Sequence, residues 1–284
     1  MRFTYAIKSP DVLKSFLQQQ GFSKKTTSAI KQNGALLVNH EPVTVRYQLQ
    51  PGDKLTIILP TEIPSANLQA FHHPLDIVYE DDYLLIVCKP SLQNCAPSRE
   101  HPHESLIEQV LAYCHENDND FTPHIVTRLD RNTTGLVLLA KHGHIHHLLS
   151  HIKINKRYIA LCHGATQPEG IIEAPIARAN DSIITRQVSS TGKYAKSTYR
   201  TLNSKQNVSL CEVTLHTGRT HQIRVHFQYI GHPLIGDALY GGNHGMIHNH
   251  CLQCTALQFK HPILHQTISI TIDYKQLICL YNML

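Results

Sequence analysis

Residues 124–141 read HIVTRLDRNTTGLVLLAK. Ile125 and Val126 lead in, Arg128, Asp130 and Arg131 form a charged knot, residues 132–135 carry turn chemistry, and residues 136–140 are apolar again. Two β-rich runs joined by a Gly-terminated polar turn predict strand, loop, strand. The loop then holds a carboxylate between two arginines at the end of a strand. Opposite charge lowers a carboxylate's pKa while burial raises it, so such a group can stay ionised in a partly dry site. That suits a nucleophile or a proton carrier. A structural Asp–Arg bridge is the commoner reason for a lone Arg-x-Asp, so the reading depends on what else the chain supplies.

The 284 residues, 42% of them hydrophobic, are enough for one large domain with a sizeable core and a small second domain. No run approaches the ~20 apolar residues of a membrane span, and the first residues, MRFTYAIKSP, lack the apolar segment of a signal peptide. The expected location is the cytoplasm, with the eight Cys as reduced thiols. The charge is uneven. Of 26 Lys and Arg and 21 Asp and Glu, eight and three lie in residues 1–60, and the remaining 18 and 18 cancel. The whole excess of +5 therefore sits in the first sixty residues, as expected for a part that meets a polyanion.

Within those sixty residues, Val12, Leu13, Phe16 and Leu17 share one face of a helix expected over 11–20, which Gly21 ends. Ser23 can cap a second helix that stops at Asn33-Gly34. Strands are expected over 35–39, 43–45 and 55–59. Lys24, Lys25, Lys31 and Arg46 are candidate phosphate contacts, although a solvated basic face is the commoner use of lysines alone. Leu13, Leu17, Gly21, Ser23, Ile30, Gly34, Val38, Asn39, Leu49, Gly52 and Asp53, in this order of parts, resemble the α-L (S-four type) RNA-binding module. Residues 1–60 are accordingly expected to form that module. Residues 61–74, TEIPSANLQAFHHP, have two Pro and little periodicity and read as a linker to a domain over 75–284. Few packing signals lie in the linker, so a chain starting at Leu75 is expected to fold by itself.

A hairpin is expected over 77–80 and 84–88, closed by Lys89-Pro90, followed by a helix over 105–114. After the central stretch come a His-rich helix over 143–152, strands over 156–162, 192–200 and 209–217, a helix over 221–229 capped by Thr220, and last strands over 252–259 and 268–272. Three segments share a character: RLD with Arg128 and Asp130, KRYIAL with Tyr158, and GRTHQIRVH with Arg219 and Arg224. Their order and spacing, flanked by YEDDYLLIVCKP and GDALYGG, resemble the RluA/RluD-type pseudouridine synthases over about residues 77–262.

That resemblance implies an α+β fold, with a mixed, largely antiparallel sheet, flanking helices and a cleft across its face. It implies that Asp130 is the catalytic aspartate, that Tyr158 packs on the target base and is a candidate proton handler, and that Arg224 pairs with Asp130. It further implies that Arg128 enters the RNA stack near a flipped nucleotide, and that Arg219, Thr220, His221 and Gln222 support the site. The sequence departs from the family pattern at Thr134, where Ser is usual, and at Ser91-Leu92, residues 94–96 and Gln253. These touch loop shape and substrate contacts, not the three central residues. The implied reaction breaks the bond from ribose C1′ to uracil N1 and joins C1′ to C5. Nothing is oxidised and no phosphoryl group moves, so no cofactor and no metal are expected. The implied partner is RNA, ribosomal RNA first with transfer RNA as the alternative, and a monomer is expected.

Other readings compete. His248, His250, Cys251 and Cys254 are metal-ligand types at close spacing. No second Cys pair stands at zinc-ribbon spacing, and structural roles are favoured. A non-catalytic RNA binder would use the basic N-terminus but leaves Asp130, Tyr158 and Arg224 without a purpose. A nucleoside glycosidase would also want a carboxylate at C1′, but commonly as one of a pair, and no second acid stands near Asp130 in the sequence.

Overall fold

The computed structural model describes all residues except 118–120, 181, 183, 206, 244 and 246. The N-terminal part runs β1 (Arg2–Ala6), β2 (Asp11–Val12), α1 (Leu13–Gln19), α2 (Lys24–Asn33), β3 (Ala35–Val38), β4 (Glu41–Pro42), β5 (Gln48–Leu49) and β6 (Lys54–Ile58). Four of these strands form an antiparallel sheet in the order β1-β6-β3-β4. Leu13, Leu17, Ile30, Leu49, Leu55 and Ile57 are buried between the helices and this sheet. Ser23 caps α2 as its chemistry predicts, its Oγ accepting from the Thr26 N–H at 3.0 Å. The strand expected over 43–45 does not form. Asn39 and His40 adopt positive φ in a tight turn, so Glu41 and Pro42 already face β3, and the chain turns again over 44–47.

Beyond residue 74 come β7 (Ile77–Glu80), β8 (Leu84–Lys89), α3 (Leu106–Glu116), β9 (His124–Ile125), β10 (Thr134–Ala140), α4 (Gly143–Leu149) and β11 (Asn155–His163). There follow β12 (Glu169–Glu173), β13 (Ile176–Arg178), β14 (Arg186–Val188), β15 (Lys196–Lys205), β16 (Val208–Leu215), α5 (Gln222–Tyr229), a 3-10 turn (Ala238–Tyr240), β17 (Leu252–Lys260), β18 (Thr267–Thr271) and α6 (Lys275–Met283). Among the described residues a ten-stranded sheet runs β12-β15-β16-β11-β17-β10-β8-β7, with β9 added on β10 and β18 on β17. Its pairings are antiparallel except β10 with β17. The expected mixed, largely antiparallel sheet is therefore what the chain builds. Both faces of β8 and β10 are covered. Leu85, Val87, Val137 and Leu139 pack on Leu106 and Val110 of α3, while Ile86, Leu136 and Leu138 join the larger core. Two-sided burial explains why these strands read as unbroken apolar runs instead of alternating ones.

The parallel pairing needs Gly135. Its φ is 105°, and a Cβ there would collide with the Cys254 backbone. Only glycine lets β10 approach β17 at this point, and this approach brings the loop before β10 against His250.

The two parts of the chain are packed together. The Phe3 ring stacks on Tyr83 at 6.0 Å, and Phe22 stacks on the buried His144 of α4 at 4.2 Å. Residues 61–74 are tied down as well. Glu62 accepts from His124 Nε2 at 2.8 Å and from the Gly143 N–H at 2.9 Å, and Gln109 donates to the Pro74 carbonyl at 2.6 Å. A chain starting at Leu75 would lack the Glu62 anchor and expose His144 and Tyr83, which argues against the expectation that it folds unaided.

Candidate active site

The loop between β9 and β10 is held from several sides. The Thr127 hydroxyl accepts from the Leu138 N–H at 2.9 Å, and the Thr133 N–H donates to the Asp130 carbonyl at 3.1 Å, closing a turn. The Thr133 hydroxyl is hydrogen-bonded to His250 Nε2 at 2.7 Å in a buried setting. The segment after β8 grips the other side. The ammonium of Lys89, fully buried, donates to the carbonyls of Pro90, Gln93 and Arg131 at 2.7, 2.8 and 3.0 Å. Ser91 donates to the Asn132 carbonyl at 3.2 Å, and the Cys95 sulfur lies 3.3 and 3.4 Å from the Leu129 nitrogen and oxygen. Residues 129, 131, 132 and 133 are thus all anchored, and Asp130 stands among them facing the cleft.

That cleft encloses about 840 Å³. Arg128, Asp130, Lys156, Tyr158, His221 and Arg224 line it, with residues 94–98 on one wall. The sequence-predicted residues Asp130, Tyr158, Arg224, Arg128, Arg219, Thr220, His221 and Gln222 are therefore brought to one place by three separate elements. Lys24, Lys25, Lys31 and Arg46 belong to the N-terminal part, and none lines the cleft.

Asp130 Oδ2 lies 3.3 Å from Arg224 Nη1 and 3.8 Å from His221 Nε2. Arg224 is buried at the start of α5, and its stronger partner is Asp237. Nε donates to Asp237 Oδ2 at 2.7 Å and Nη2 to Oδ1 at 2.8 Å, a two-point grip on a carboxylate only 1% exposed. Burial works against the guanidinium charge, but Asp237 and Asp130 more than offset it, and the Arg224 pKa is raised. The site thus contains the second carboxylate that the sequence did not reveal. It is turned onto the arginine and not into the cleft, so it does not form the facing pair a glycosidase would use.

Tyr158 on β11 pairs across to Val213 and Cys254, and a shift in register between Arg157 and Tyr158 re-aims the strand there. Burial pushes its phenol well above the ordinary tyrosine value, with Cys254 adding to the shift. Tyr158 is therefore a protonated donor at neutral pH. Burial also lowers the Lys156 ammonium on the same strand and the His221 imidazole. Thr220 does not cap α5. The N-cap is His221, in the left-handed region at φ 56°, while Gln222 turns back to hold the preceding loop. Gln222 Oε1 accepts from the Arg219 N–H at 2.9 Å, and its Nε2 donates to the Lys196 carbonyl and Ser197 Oγ at 3.0 Å each. Arg219 Nε in turn donates to the Tyr194 carbonyl at 2.9 Å.

The candidate metal ligands point apart. His250 bonds Thr133, the Cys251 sulfur donates to the Asn249 carbonyl, and Cys254 lies against Tyr158. Among the described residues no group of three or more His, Cys, Asp and Glu is placed to hold a metal ion. Asp237, Lys89, Cys95, Lys156 and Tyr240 were not singled out from the sequence. The one available signal was for Asp237, an acid beside Gly236 in a turn-forming GDALYGG run.

The chain is similar to known proteins in family and fold. Residues 83–229 match the family described as RNA pseudouridylate synthase. The uncharacterized RNA pseudouridine synthase YjbO of Bacillus subtilis is 40% identical over 262 residues, covering 90% of this chain and 93% of the relative. The ribosomal large subunit pseudouridine synthase D of Zymomonas mobilis is 32% identical, covering 81% and 78%. Among solved structures, human RNA pseudouridylate synthase domain containing 1 superposes with a TM-score of 0.59 at 23% identity, over 71% of this chain and 84% of that one. That likeness concerns the fold.

Proposed function

The chain belongs to the RluA/RluD-type RNA pseudouridine synthases, isomerases that act on RNA, and from that premise we propose that Asp130 is the residue that attacks or deprotonates the target nucleotide, with ribosomal RNA as the substrate. The observation that supports the assignment is the placement of Asp130 in the cleft, anchored through its neighbours, with Oδ2 3.3 Å from Arg224 Nη1. The reaction breaks C1′–N1 and forms C1′–C5; the C5 proton leaves and N1 gains one. An ionised carboxylate serves at the sugar or at the base. Arg224, itself gripped by Asp237, holds Asp130 in its reactive orientation. Tyr158, buried and protonated, packs on the uracil ring and donates a hydrogen bond, a narrower role than proton shuttling. Arg128, exposed at the cleft edge, fills the stack left by the flipped uridine.

The substrate choice rests on the relatives named for the large ribosomal subunit, such as that of Zymomonas mobilis. Residues 1–60, carrying Lys24, Lys25, Lys31 and Arg46, act as an RNA-binding module that adds phosphate contacts away from the cleft. As part of the same proposal, the protein works as a cytoplasmic monomer. The test is to map pseudouridine in RNA from cells with and without the gene, and to repeat the reaction with purified protein. Loss of a ribosomal RNA site, restored by wild type but not by Asp130→Asn, is the expected result. The Asn variant should keep RNA affinity within a few-fold. A missing site in transfer RNA would move the substrate, and turnover by Asp130→Asn would remove the assignment of Asp130.

A further inference from the structure

Two groups address the same oxygen of Asp130. Arg224 Nη1 lies 3.3 Å from Oδ2 and His221 Nε2 lies 3.8 Å from it. Among the described residues no hydrogen bond reaches Oδ1. Oδ1 is therefore the less engaged of the two carboxylate oxygens.

Behind both groups stands Tyr240, buried in the 3-10 turn that directly follows Asp237. Its ring lies under the Arg224 guanidinium at 4.9 Å and edge-on to the His221 ring at 5.7 Å. Its hydroxyl accepts from the Arg186 N–H at 3.0 Å and lies 2.7 Å from His221 Nδ1. The hydroxyl keeps its own proton while it accepts from Arg186, and His221 Nδ1 at 2.7 Å is an acceptor in reach of that proton. With Tyr240 as the donor, the ring proton of neutral His221 sits on Nε2, the nitrogen that faces Asp130. A histidine at φ 56° is also an uncommon backbone choice, and such outliers collect at working sites.

We propose that His221 is a positioning residue for Asp130: Tyr240 sets its tautomer so that Nε2–H, 3.8 Å from Oδ2, is directed at that oxygen beside Arg224 and leaves Oδ1 for the nucleotide. Residues 237–240 then serve both partners of one carboxylate oxygen, Asp237 by clamping Arg224 and Tyr240 by orienting His221. The inference rests on the assignment of Asp130 above. Misalignment of the reacting group costs up to about 100-fold in rate, while interactions made only with the RNA ground state would change affinity instead.

The test is a double-mutant cycle on single-turnover pseudouridine formation, with RNA affinity and thermal stability measured alongside. Tyr240→Phe keeps the ring under Arg224 and removes only the hydroxyl. It should slow the chemical step about 10-fold with affinity unchanged within about two-fold. His221→Phe should slow it about 10- to 100-fold. His221→Gln, whose amide nitrogen takes the place of Nε2, should recover most of the rate. The double variant Tyr240→Phe/His221→Phe should be no slower than His221→Phe, because Tyr240 acts through His221. Wild-type rates in Tyr240→Phe, multiplying losses in the double variant, or a Gln variant as slow as Phe would each overturn the proposal. Should the Phe variant at 221 be too unstable to assay, the Gln and Tyr240→Phe rates alone decide. Wild-type turnover with Asp130→Asn inactive, measured in the same assay, keeps the parent assignment separate from this one.

Discussion

At the scale of single residues, the site depends on a charge pair that the sequence shows only half of. Arg224 serves Asp130 with one nitrogen and Asp237 with two. Removing one partner of a buried ion pair leaves an uncompensated charge, at a cost of about 3–5 kcal/mol. Arg224→Met should therefore lower the unfolding temperature as well as abolish turnover. Adding Asp237→Asn removes the stranded charge and should restore much of the stability but none of the activity. Thermal unfolding and turnover of the single and double variants check this, and a double variant as unstable as the single would show that Asp237 is not the group left unpaired.

At the scale of elements, the strand–loop–strand unit was legible because its signals are local: apolar runs on each side of a polar, Gly-ended turn. The loop's rigidity was not, since it comes from Lys89, Ser91, Cys95 and His250, up to 117 residues away in sequence. Arg128 sits on this loop at the cleft edge, and its role can be separated from that of Asp130. Unstacking and unpairing a uridine in a stem costs about a few kcal/mol, and much less in a flexible strand. Arg128→Ala should slow a stem-loop substrate far more than a short unstructured RNA with the same uridine. Asp130→Asn should silence both. Equal losses on the two RNAs for Arg128→Ala would mean that it tunes the neighbouring carboxylate and does not fill the stack.

At the scale of the whole molecule, the N-terminal part is proposed as an RNA-binding surface and is also a piece of the core. Replacing Lys24, Lys25, Lys31 and Arg46 by Gln in the full chain should flatten the salt dependence of RNA binding by about 0.7–0.9 in slope for each phosphate no longer bound. Removing residues 1–60 outright should instead lower stability, because Phe3 and Phe22 would no longer cover Tyr83 and His144. An unchanged slope would mean that Lys24, Lys25, Lys31 and Arg46 do not touch RNA. Burial of histidines, His144 under the N-terminal part and His250 behind the loop that carries Asp130, creates a pH dependence. Burial lowers His144, aided by His142, and His250, aided by Arg224, to about 4 each, below the ordinary 6.5. The unfolded chain then binds more protons between pH 6.5 and 4, so the stability linked to these residues is complete above pH 6.5 and declines as pH falls to about 4. Each contributes a slope of about 1.4 kcal/mol per pH unit within that window. Denaturation measured across this range should show the decline, reduced in His144→Phe; a slope unaltered by that substitution would place the titration elsewhere.

The sequence by itself determined the parts whose causes are near in the chain: the amphipathic helices, the apolar strands, the Ser23 cap, and the order of motifs carrying Asp130, Tyr158 and Arg224. Short marginal elements such as β4, β12 and β13 were missed or displaced, because their pairing partners and not their composition decide them. Only the tertiary structure decided that Asp237 clamps Arg224, that Gly135 must be bare for β10 to meet β17, that α6 closes over Leu161, and that Phe22 packs on His144. Each is a meeting of distant segments. No local periodicity encodes it, since its free energy comes from burial and from partners that come together only once the chain has folded.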